Sequence, residues 1–281
     1  MSTGGGGSVR TICFVSDRTG VTAETMGHSL LSQFDGLQFR AVTMPFVSSV
    51  EQARGVVRRI DAIAQEEGTR PIIFCTLVDD GVRAAVKQAN GLFLDFFAAF
   101  LGPLETELQM ESAHASGRAL HGASSDPGYS ARIDAVNFAL ANDDGAGQRN
   151  YRSAEVILIG VSRSSKTPTS LYMALQYGIF TANYPLAEED LEAGSLPAVL
   201  VPYKSKLYGL TIKPERLQQI RTERRPGSRY ASAQQVQYEV RTAHTLLERI
   251  NVPYLDVTDC SIEEIASRIM DHMGLARHAR M

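Results

Sequence analysis

Apolar residues follow two alternating patterns along the chain. Short runs rich in β-branched and aromatic residues predict strands, and most of them precede stretches with apolar residues at helical spacing. The predicted strands cover residues 9–15, 39–47, 71–77, 154–160, 206–212 and 252–257. The predicted helices cover residues 22–34, 49–67, 79–88, 167–178, 214–224, 232–250 and 261–274, and another begins near Tyr129. This alternation predicts an α/β fold with mostly parallel sheets covered by helices.

Length and composition favour two domains. The chain has 281 residues, of which 44% are hydrophobic, and domains usually contain about 100–200 residues. Residues 1–8 are rich in glycine and predict a disordered start. A segment rich in Ser, Ala, Gly and His, at about 111–127, resembles a connecting loop, and the domain boundary is expected near residues 149–153. We therefore expect an N-terminal α/β domain for regulation or partner binding over 9–150, and a nucleotide-binding α/β domain with a P-loop over 151–281.

Charge and cysteine content exclude several classes of protein. The net charge of −3 provides no basic field for nucleic acid or an anionic membrane. Cys13, Cys75 and Cys260 lie far apart, so they are interpreted as buried apolar residues rather than disulfide partners. No apolar run approaches the roughly 20 residues of a membrane helix. These features predict a cytoplasmic protein that binds neither nucleic acid nor membrane.

An apolar segment at residues 91–108 is aromatic on more than one side. We interpret it as core or as a subunit interface, in preference to a ligand pocket. Its section from Leu92 to Leu104 therefore predicts a homodimer.

The segment that follows the strand at 154–160 nearly matches a phosphate-binding loop. The usual pattern is G-x-x-x-x-G-K-[ST], which Gly160, Lys166 and Thr167 fit, while Ser165 occupies the place of the second glycine. A strand that leads through a turn to a helix N-terminus directs unpaired backbone N–H groups at an anion. The expected nucleotide-binding residues are Gly160, Val161, Ser162, Arg163, Ser164, Ser165, Lys166 and Thr167. The alternative is an ordinary strand–turn–helix that contains Lys-Thr by chance.

Individual side chains of this loop suit phosphate chemistry. Lys166 would reach the transferring phosphates, and the Thr167 hydroxyl would help to hold Mg²⁺. Arg163 offers a planar donor that can bridge phosphate oxygens, or it forms a surface ion pair instead. Pro168 lies within the first helical turn, where a missing N–H costs little.

Five separated segments resemble, in order, the motifs of one protein family. These segments are FVSDRTGVTAE, YSARIDAVNFALANDDG, LIGVSRSSKTPTSLYMALQYGIFTANYPL, LYGLTIKPERLQQIRTERRPGSRYAS and SIEEIASRIMD. The family comprises the regulatory proteins of pyruvate, phosphate dikinase and phosphoenolpyruvate synthase, and the resemblance extends from Val9 to Gly274. The segments KTPTSLYMA, ANYPL and SRYAS are most similar to those of the proteobacterial phosphoenolpyruvate synthase branch of the family. Arg18 departs from the small residue that usually lies between the Asp and Thr of the first motif.

The resemblance implies a bifunctional enzyme that acts on one threonine of a partner. In one direction it would be a Ser/Thr kinase that uses ADP as donor and inactivates phosphoenolpyruvate synthase. In the other it would use inorganic phosphate to remove the phosphoryl group, release pyrophosphate and restore activity. Pyruvate, phosphate dikinase is the alternative partner. The ADP preference and the phosphorolysis rest on the resemblance alone.

A hydroxyl nucleophile requires a nearby carboxylate to orient it or accept its proton. Asp17 is the first candidate, and Asp143 and Asp144 in the NDDG turn are others. Asp256, at the end of a predicted strand, could act as an acid beside the metal. Each of these residues could instead cap a helix or form a turn.

Two further groups of residues allow both a functional and a structural interpretation. His121 could carry a proton, although a lone histidine is more often structural. The arginines of a basic cluster could bind the phosphorylated segment of the partner or lie at a solvated helix end; they are Arg221, Arg224, Arg225 and Arg229.

Two other function classes stay open from the residues alone. A small-molecule P-loop kinase would share the loop and Mg²⁺, but it would normally carry the loop after its first strand. A non-catalytic regulator would bind ADP without turnover.

Overall fold

The computed structural model describes residues 9–113 and 127–276. The chain divides into two compact units, Met1–Gly122 and Ala123–Met281. This division lies earlier than the boundary expected near residues 149–153, because the helix Pro127–Ala141 belongs to the second unit and packs there through Ala135 and Ala139. The predicted disorder of residues 1–8 and the candidate His121 lie outside the described residues.

The first unit contains a four-stranded sheet with helices between its strands. Its elements are β1 (Arg10–Ser16), α1 (Val21–Leu31), β2 (Phe39–Met44), α2 (Val50–Glu67), β3 (Ile72–Thr76), α3 (Asp80–Val86), β4 (Leu92–Asp95) and α4 (Phe96–Leu108). The strands lie in the order β2-β1-β3-β4, and every neighbouring pair is parallel. β4 was not predicted, because its four residues lie within the apolar segment 91–108.

The core of this unit lies on both faces of β1 and β3. Cys13 and Cys75 face a cluster with α2 and α3, whereas Phe14 and Phe74 face one that includes Phe96. Burial raises the pKa of the Cys13 thiol to about 11 and that of Cys75 to about 12, so both thiols stay protonated and unreactive. The interpretation as buried apolar residues is confirmed for these two cysteines, whereas Cys260 is only partly buried and packs against the core of the second unit.

The apolar segment 91–108 behaves differently from the expected core. Phe96 is buried, but Leu92, Phe100, Leu104 and Leu108 are each between 44% and 62% exposed. The core interpretation therefore holds for Phe96 and is wrong for most of α4. The expected homodimer stays a prediction.

The second unit contains a second parallel sheet. Its main elements are α5 (Pro127–Ala141), β5 (Val156–Gly160), α6 (Lys166–Tyr177), β6 (Thr181–Pro185), α7 (Glu188–Ala193), β7 (Leu207–Thr211), α8 (Pro214–Arg224), α9 (Ala233–Ile250), β8 (Tyr254–Asp256) and α10 (Ile262–Met273). Short 3₁₀ helices cover Gln148–Ser153, Val201–Lys206 and Arg229–Ala231. The strand order is β6-β5-β7-β8, all parallel. The predicted α/β fold is confirmed, although β6 was not predicted.

β5 forms the centre of the second unit, and all five of its residues are buried. Its side chains alternate between two clusters, as a strand covered on both faces requires. Leu158 packs in the cluster that contains Met173 of α6, and Ile159 packs in the cluster that contains Leu247 of α9. This burial fixes the strand whose carboxyl end carries the 160–167 loop.

Side-chain caps begin two of the predicted helices of this unit. Ser232 accepts a hydrogen bond from the N–H of Gln235, and Ser261 accepts one from the N–H of Glu264. The Ser-x-x-Glu pattern at Ser261 and Glu264 is that of a reciprocal capping box, but only half of the box forms, since the Glu264 carboxylate pairs with Arg268 at 2.5 Å. No helix in the described parts of the chain has the length and apolar character needed to cross a membrane.

Candidate active site

The 160–167 loop connects β5 to α6 at the carboxyl edge of the second sheet. β5 lies between β6 and β7, so the connections from neighbouring strands diverge at this point. Ligands of open α/β sheets bind at such a position, where the strand order reverses. The topology therefore places the loop where a ligand site is expected.

The backbone of the loop presents several free donors. Arg163 (φ 73°) and Ser165 (φ 63°) are in the left-handed region, and Ser165 immediately precedes α6 without a side-chain cap. The N–H groups of four loop residues have no acceptor within residues 9–113 and 127–276; they are those of Arg163, Ser165, Lys166 and Thr167. Successive N–H groups in mixed right- and left-handed conformations form a nest that binds anions, and the helix N-terminus adds a positive partial charge.

Gly160 is required for close packing beneath the loop. A Cβ atom at this position would overlap the backbone carbonyl oxygen of Leu210 and lie 2.9 Å from the Ser164 hydroxyl. Ser164 is itself buried and donates to the carbonyl oxygen of Val161 at 2.9 Å. Steric exclusion of a Cβ atom therefore explains why the first position of the pattern is glycine in this chain.

Lys166 is folded back onto the loop. Its side chain is buried, and its Nζ donates to the Val161 carbonyl oxygen at 2.7 Å. Burial lowers the pKa of this ammonium to about 8, while the neighbouring carboxylates of Asp144 and Asp143 oppose the shift. A phosphate oxygen can replace the single carbonyl acceptor, and its negative charge would favour the protonated amine.

Thr167 lies against the NDDG turn. Its hydroxyl donates to Asp143 Oδ1 at 2.8 Å, and the side-chain amide of Asn183 donates to the same oxygen. Asn183 also accepts from the N–H of Asp144 at 2.9 Å, which fixes the turn to β6. Asn183 was missed in the sequence, where the only signal was a polar residue within the β6 segment TANYP.

A small cavity of about 260 Å³ lies over the loop. Its lining residues are Asp144, Ser162, Arg163, Ser165, Lys166, Thr167, Pro168 and Ile220. The exposed Arg163 forms no ion pair within the described residues, so the surface-pair alternative is not observed. Two cations, Arg163 and Lys166, thus face the cavity together with one carboxylate, Asp144.

Comparison with known proteins identifies the family of the chain. A family model described as kinase/pyrophosphorylase matches residues 12–270. The chain belongs to the kinase/pyrophosphorylase family. It is 51% identical to a phosphoenolpyruvate synthase regulatory protein of Legionella pneumophila (strain Corby), over 95% of this chain and 98% of that protein. Proteins of the same name from Marinobacter nauticus and Burkholderia thailandensis are 51% and 52% identical, each over 96% of this chain and at least 98% of their own length.

Membership of the kinase/pyrophosphorylase family identifies the chain as a phosphotransferase. Phosphoryl transfer depends mainly on positioning and on neutralising the charge of the in-line oxygens. The donors, cations and hydroxyl around the 160–167 loop are groups of the kind that this chemistry uses. The described residues contain no cluster of three His, Cys, Asp or Glu side chains that could hold a metal ion.

The predicted carboxylates are divided between the two units. Asp143 and Asp144 contact or line the cavity over the 160–167 loop. Asp17 follows β1 in the first unit, where its Oδ2 is buried and accepts no hydrogen bond from the described residues. Asp256 is exposed, and its Oδ1 accepts from the N–H and the hydroxyl of Thr258. The turn-forming interpretation of Asp256 is therefore the observed one, and its proposed role beside the metal has no support.

The predicted basic cluster is divided between surface and core. Arg224 and Arg225 are exposed at the end of α8, and Arg229 is exposed and pairs with Glu188 at 2.6 Å. Arg221 is fully buried, so the expectation that it binds a partner at the surface is wrong. Helical spacing alone could not distinguish it from its exposed neighbours.

Proposed function

We propose that this protein is a bifunctional regulator of phosphoenolpyruvate synthase. In the kinase direction, the β-phosphoryl group of ADP passes to the hydroxyl of a threonine of the synthase, and AMP leaves. In the opposite direction, inorganic phosphate attacks the phosphothreonine, so that pyrophosphate forms and the threonine hydroxyl is restored. Relatives at 51–52% identity carry the corresponding name, and the protein substrate implies a cytoplasmic reaction.

One observation carries this proposal: an anion cradle and a buried lysine lie together in a chain of the kinase/pyrophosphorylase family. Lys166, Arg163 and the four loop N–H groups that have no acceptor in the described part of the chain would hold the adjacent phosphoryl groups of ADP or pyrophosphate. Both reactions place two phosphoryl groups in line, so one cradle can serve both. Neutralising these oxygens in a site that excludes water is a large source of rate enhancement.

The residues beside Lys166 also fit Mg²⁺. Thr167 supplies a hydroxyl oxygen and Asp143 a carboxylate oxygen, and they lie 2.8 Å apart. Mg²⁺ in phosphoryl-transfer sites is commonly held by one or two such groups together with substrate phosphates. When bound, it would neutralise charge on the phosphate oxygens.

The carboxylate that assists the threonine is part of the same proposal. Asp17 would orient the hydroxyl or accept its proton, and its buried Oδ2, which has no hydrogen-bond partner among the described residues, supports that role. Asp144 is the alternative within the second unit, since it lines the cavity over the loop.

The experiment that tests this function uses β-labelled ADP, purified phosphoenolpyruvate synthase and either pyruvate or phosphoenolpyruvate. We expect label on a threonine of the synthase, loss of synthase activity, and no transfer when γ-labelled ATP replaces ADP. Label on a metabolite would indicate a small-molecule kinase. Binding of ADP without transfer would indicate a non-catalytic sensor. A parallel assay replaces the synthase by purified pyruvate, phosphate dikinase, and label on the dikinase with none on the synthase would reassign the partner.

A further inference from the structure

Arg221 lies beneath the 160–167 loop, inside the second unit. Its guanidinium is fully buried, and Nη2 donates to the carbonyl oxygen of Ser162 at 3.1 Å and to Glu239 Oε2 at 2.7 Å. Nη1 donates to the carbonyl oxygen of Tyr230 at 3.1 Å. A single side chain thus connects the loop to α9 and to the Arg229–Ala231 segment.

Tyr230 provides a second connection to the same loop residue. Its hydroxyl lies 2.9 Å from the Ser162 hydroxyl, within hydrogen-bonding distance. Its ring centroid lies 4.1 Å from Cζ of Arg221, the geometry of a cation–π contact. Ser162 is therefore held both by its backbone carbonyl and by its side chain.

This anchoring determines where the next N–H group points. All described peptide bonds are trans, so the carbonyl of Ser162 and the N–H of Arg163 point to opposite sides of one planar peptide. The carbonyl faces the buried Arg221, and the N–H of Arg163 therefore faces away from it. That N–H has no acceptor among the described residues, and Arg163 begins the left-handed part of the loop.

We propose that Arg221 and Tyr230 are positioning residues that fix the Ser162–Arg163 peptide, so that the Arg163 N–H is directed at the bound phosphate. The inference rests on the proposed function, because it assigns a role within the same cradle. Neither residue touches the ligand in this account. They act through Ser162, and they favour the anion-binding conformation before the ligand arrives.

The cost of this arrangement argues against a role in stability alone. A buried guanidinium loses its hydration, and replacing a buried ion pair by apolar residues is often neutral or stabilising. Arg221 moreover leaves its Nε without an acceptor among the described residues. Arg221 donates one hydrogen bond to the carbonyl oxygen of Ser162 in the loop and one to that of Tyr230. An apolar side chain could not supply these two bonds.

The first test measures the binding of inorganic pyrophosphate and of ADP to the full chain by calorimetry. Tyr230→Phe and Ser162→Ala each remove the hydroxyl–hydroxyl contact, and each should weaken binding about fivefold, as the loss of one hydrogen bond predicts. The double variant should bind no more weakly than either single variant, because both remove one interaction. Tyr254→Phe, whose hydroxyl lies 3.5 Å from Glu248, is the matched control and should leave binding unchanged.

The second test replaces Arg221 by lysine, which keeps the charge but loses the forked donors. We expect affinity for both ligands to fall about tenfold or more, whereas Arg216→Lys at an exposed position of α8 should have no effect. Should Arg221→Lys fail to fold, the Tyr230 and Ser162 variants still decide. Unchanged affinity in folded Tyr230 and Arg221 variants, or additive losses in the double variant, would overturn the positioning role. Failure of the unaltered protein to bind either ligand would overturn the proposed function itself.

Discussion

The two sheets of this protein have the same strand order, yet their central loops present different chemistry. In each sheet the first strand lies between the second and third, in the orders β2-β1-β3-β4 and β6-β5-β7-β8. The helix after each first strand begins behind a left-handed residue without a side-chain cap, Gly20 in one unit and Ser165 in the other. The first loop, residues 17–20 after β1, carries the Asp17 carboxylate. The second loop, residues 160–167 after β5, carries the buried ammonium of Lys166.

This difference shows what topology provides and what side chains provide. Strand order places a loop at the reversal point of either sheet, where a ligand can approach. Under the proposed function the sign of the local charge decides the ligand: the second loop would bind phosphate, and the first would accept a proton from the threonine hydroxyl. Fold alone therefore does not assign function to either unit.

The largest expected effect is that of Lys166→Ala on the kinase reaction. Removing an electrostatic contact to the transferring phosphates should lower the rate of threonine phosphorylation by about 10²-fold or more, with the fold retained. The measurement is transfer from β-labelled ADP to the synthase. Lys204→Ala, an exposed lysine of the same unit, is the control. Near-normal transfer by a folded Lys166→Ala protein would remove the second loop from the mechanism.

A pair of glycine substitutions compares the two loops directly. Gly160→Ala places a methyl group against the Leu210 backbone, which cannot move cheaply, so we expect about 1–3 kcal/mol of destabilisation and at least roughly tenfold weaker pyrophosphate binding. At Gly20 an added Cβ would contact only the Thr43 methyl group, at 2.9 Å. The positive φ of 86° disfavours alanine, so we expect Gly20→Ala to lower the free energy of unfolding by about 1–2 kcal/mol. Thermal unfolding and calorimetry check both. Weaker pyrophosphate binding by the folded Gly20 variant would show that the first loop also holds phosphate.

Asp17→Asn should separate the two directions of the reaction. The kinase reaction must remove a proton from a threonine hydroxyl, whereas the phosphate that attacks in the phosphorolysis is already anionic at neutral pH. We expect phosphorylation to slow about tenfold more than phosphorolysis does. Both rates are measured on the folded variant, with Asp144→Asn in parallel. Equal losses in the Asp17 variant would assign that residue to binding or structure.

The pH dependence of binding should reveal Lys166. Its pKa of about 8 in the free protein should rise when phosphate binds, so ADP affinity should fall above about pH 8, by at most about tenfold per pH unit. The stability of the free protein should change in the opposite direction. Between the folded pKa of about 8 and the ordinary value of 10.5, Lys166 keeps its proton only in the unfolded chain. The contribution of Lys166 to the free energy of unfolding therefore rises with pH over this range.

The measurement for this pH effect is ADP calorimetry and thermal unfolding between pH 7 and pH 10, with Lys166→Ala as the reference. The fall of ADP affinity with pH and the rise of stability with pH should both be weaker in that variant. An identical pH dependence of ADP binding in the two proteins would assign the titration to another group.

The sequence predicted most of the architecture and the position of the cradle, because both depend on local patterns. The apolar run before Gly160 and the Lys-Thr pair identify strand, loop and helix without any distant contact. Ser165, which occupies the place of the second glycine of the pattern, adopts the left-handed conformation with φ 63° that glycine would adopt more easily. The short strands β4 and β6 were missed, since few residues carry their pattern.

Residues that act through distant contacts could not be predicted from spacing. Asn183 joins the site only because β6 pairs with β5, and Arg221 is separated from Ser162 by 59 positions. The exposed face of α4 shows the converse difference, since apolar composition predicted a core or a subunit interface, and only Phe96 of this helix is buried. Pairing and burial, rather than local sequence, decided these positions.

The central claim is that one cradle in the second sheet serves both reactions. Its most direct test uses the Lys166→Ala variant and phosphorylated synthase in the presence of inorganic phosphate. The reactivation of the synthase and the release of pyrophosphate are both measured. The shared cradle predicts that this activity falls together with the kinase activity, by about 10²-fold or more. Full reactivation and pyrophosphate release by a folded variant that has lost kinase activity would contradict the claim and require two separate sites.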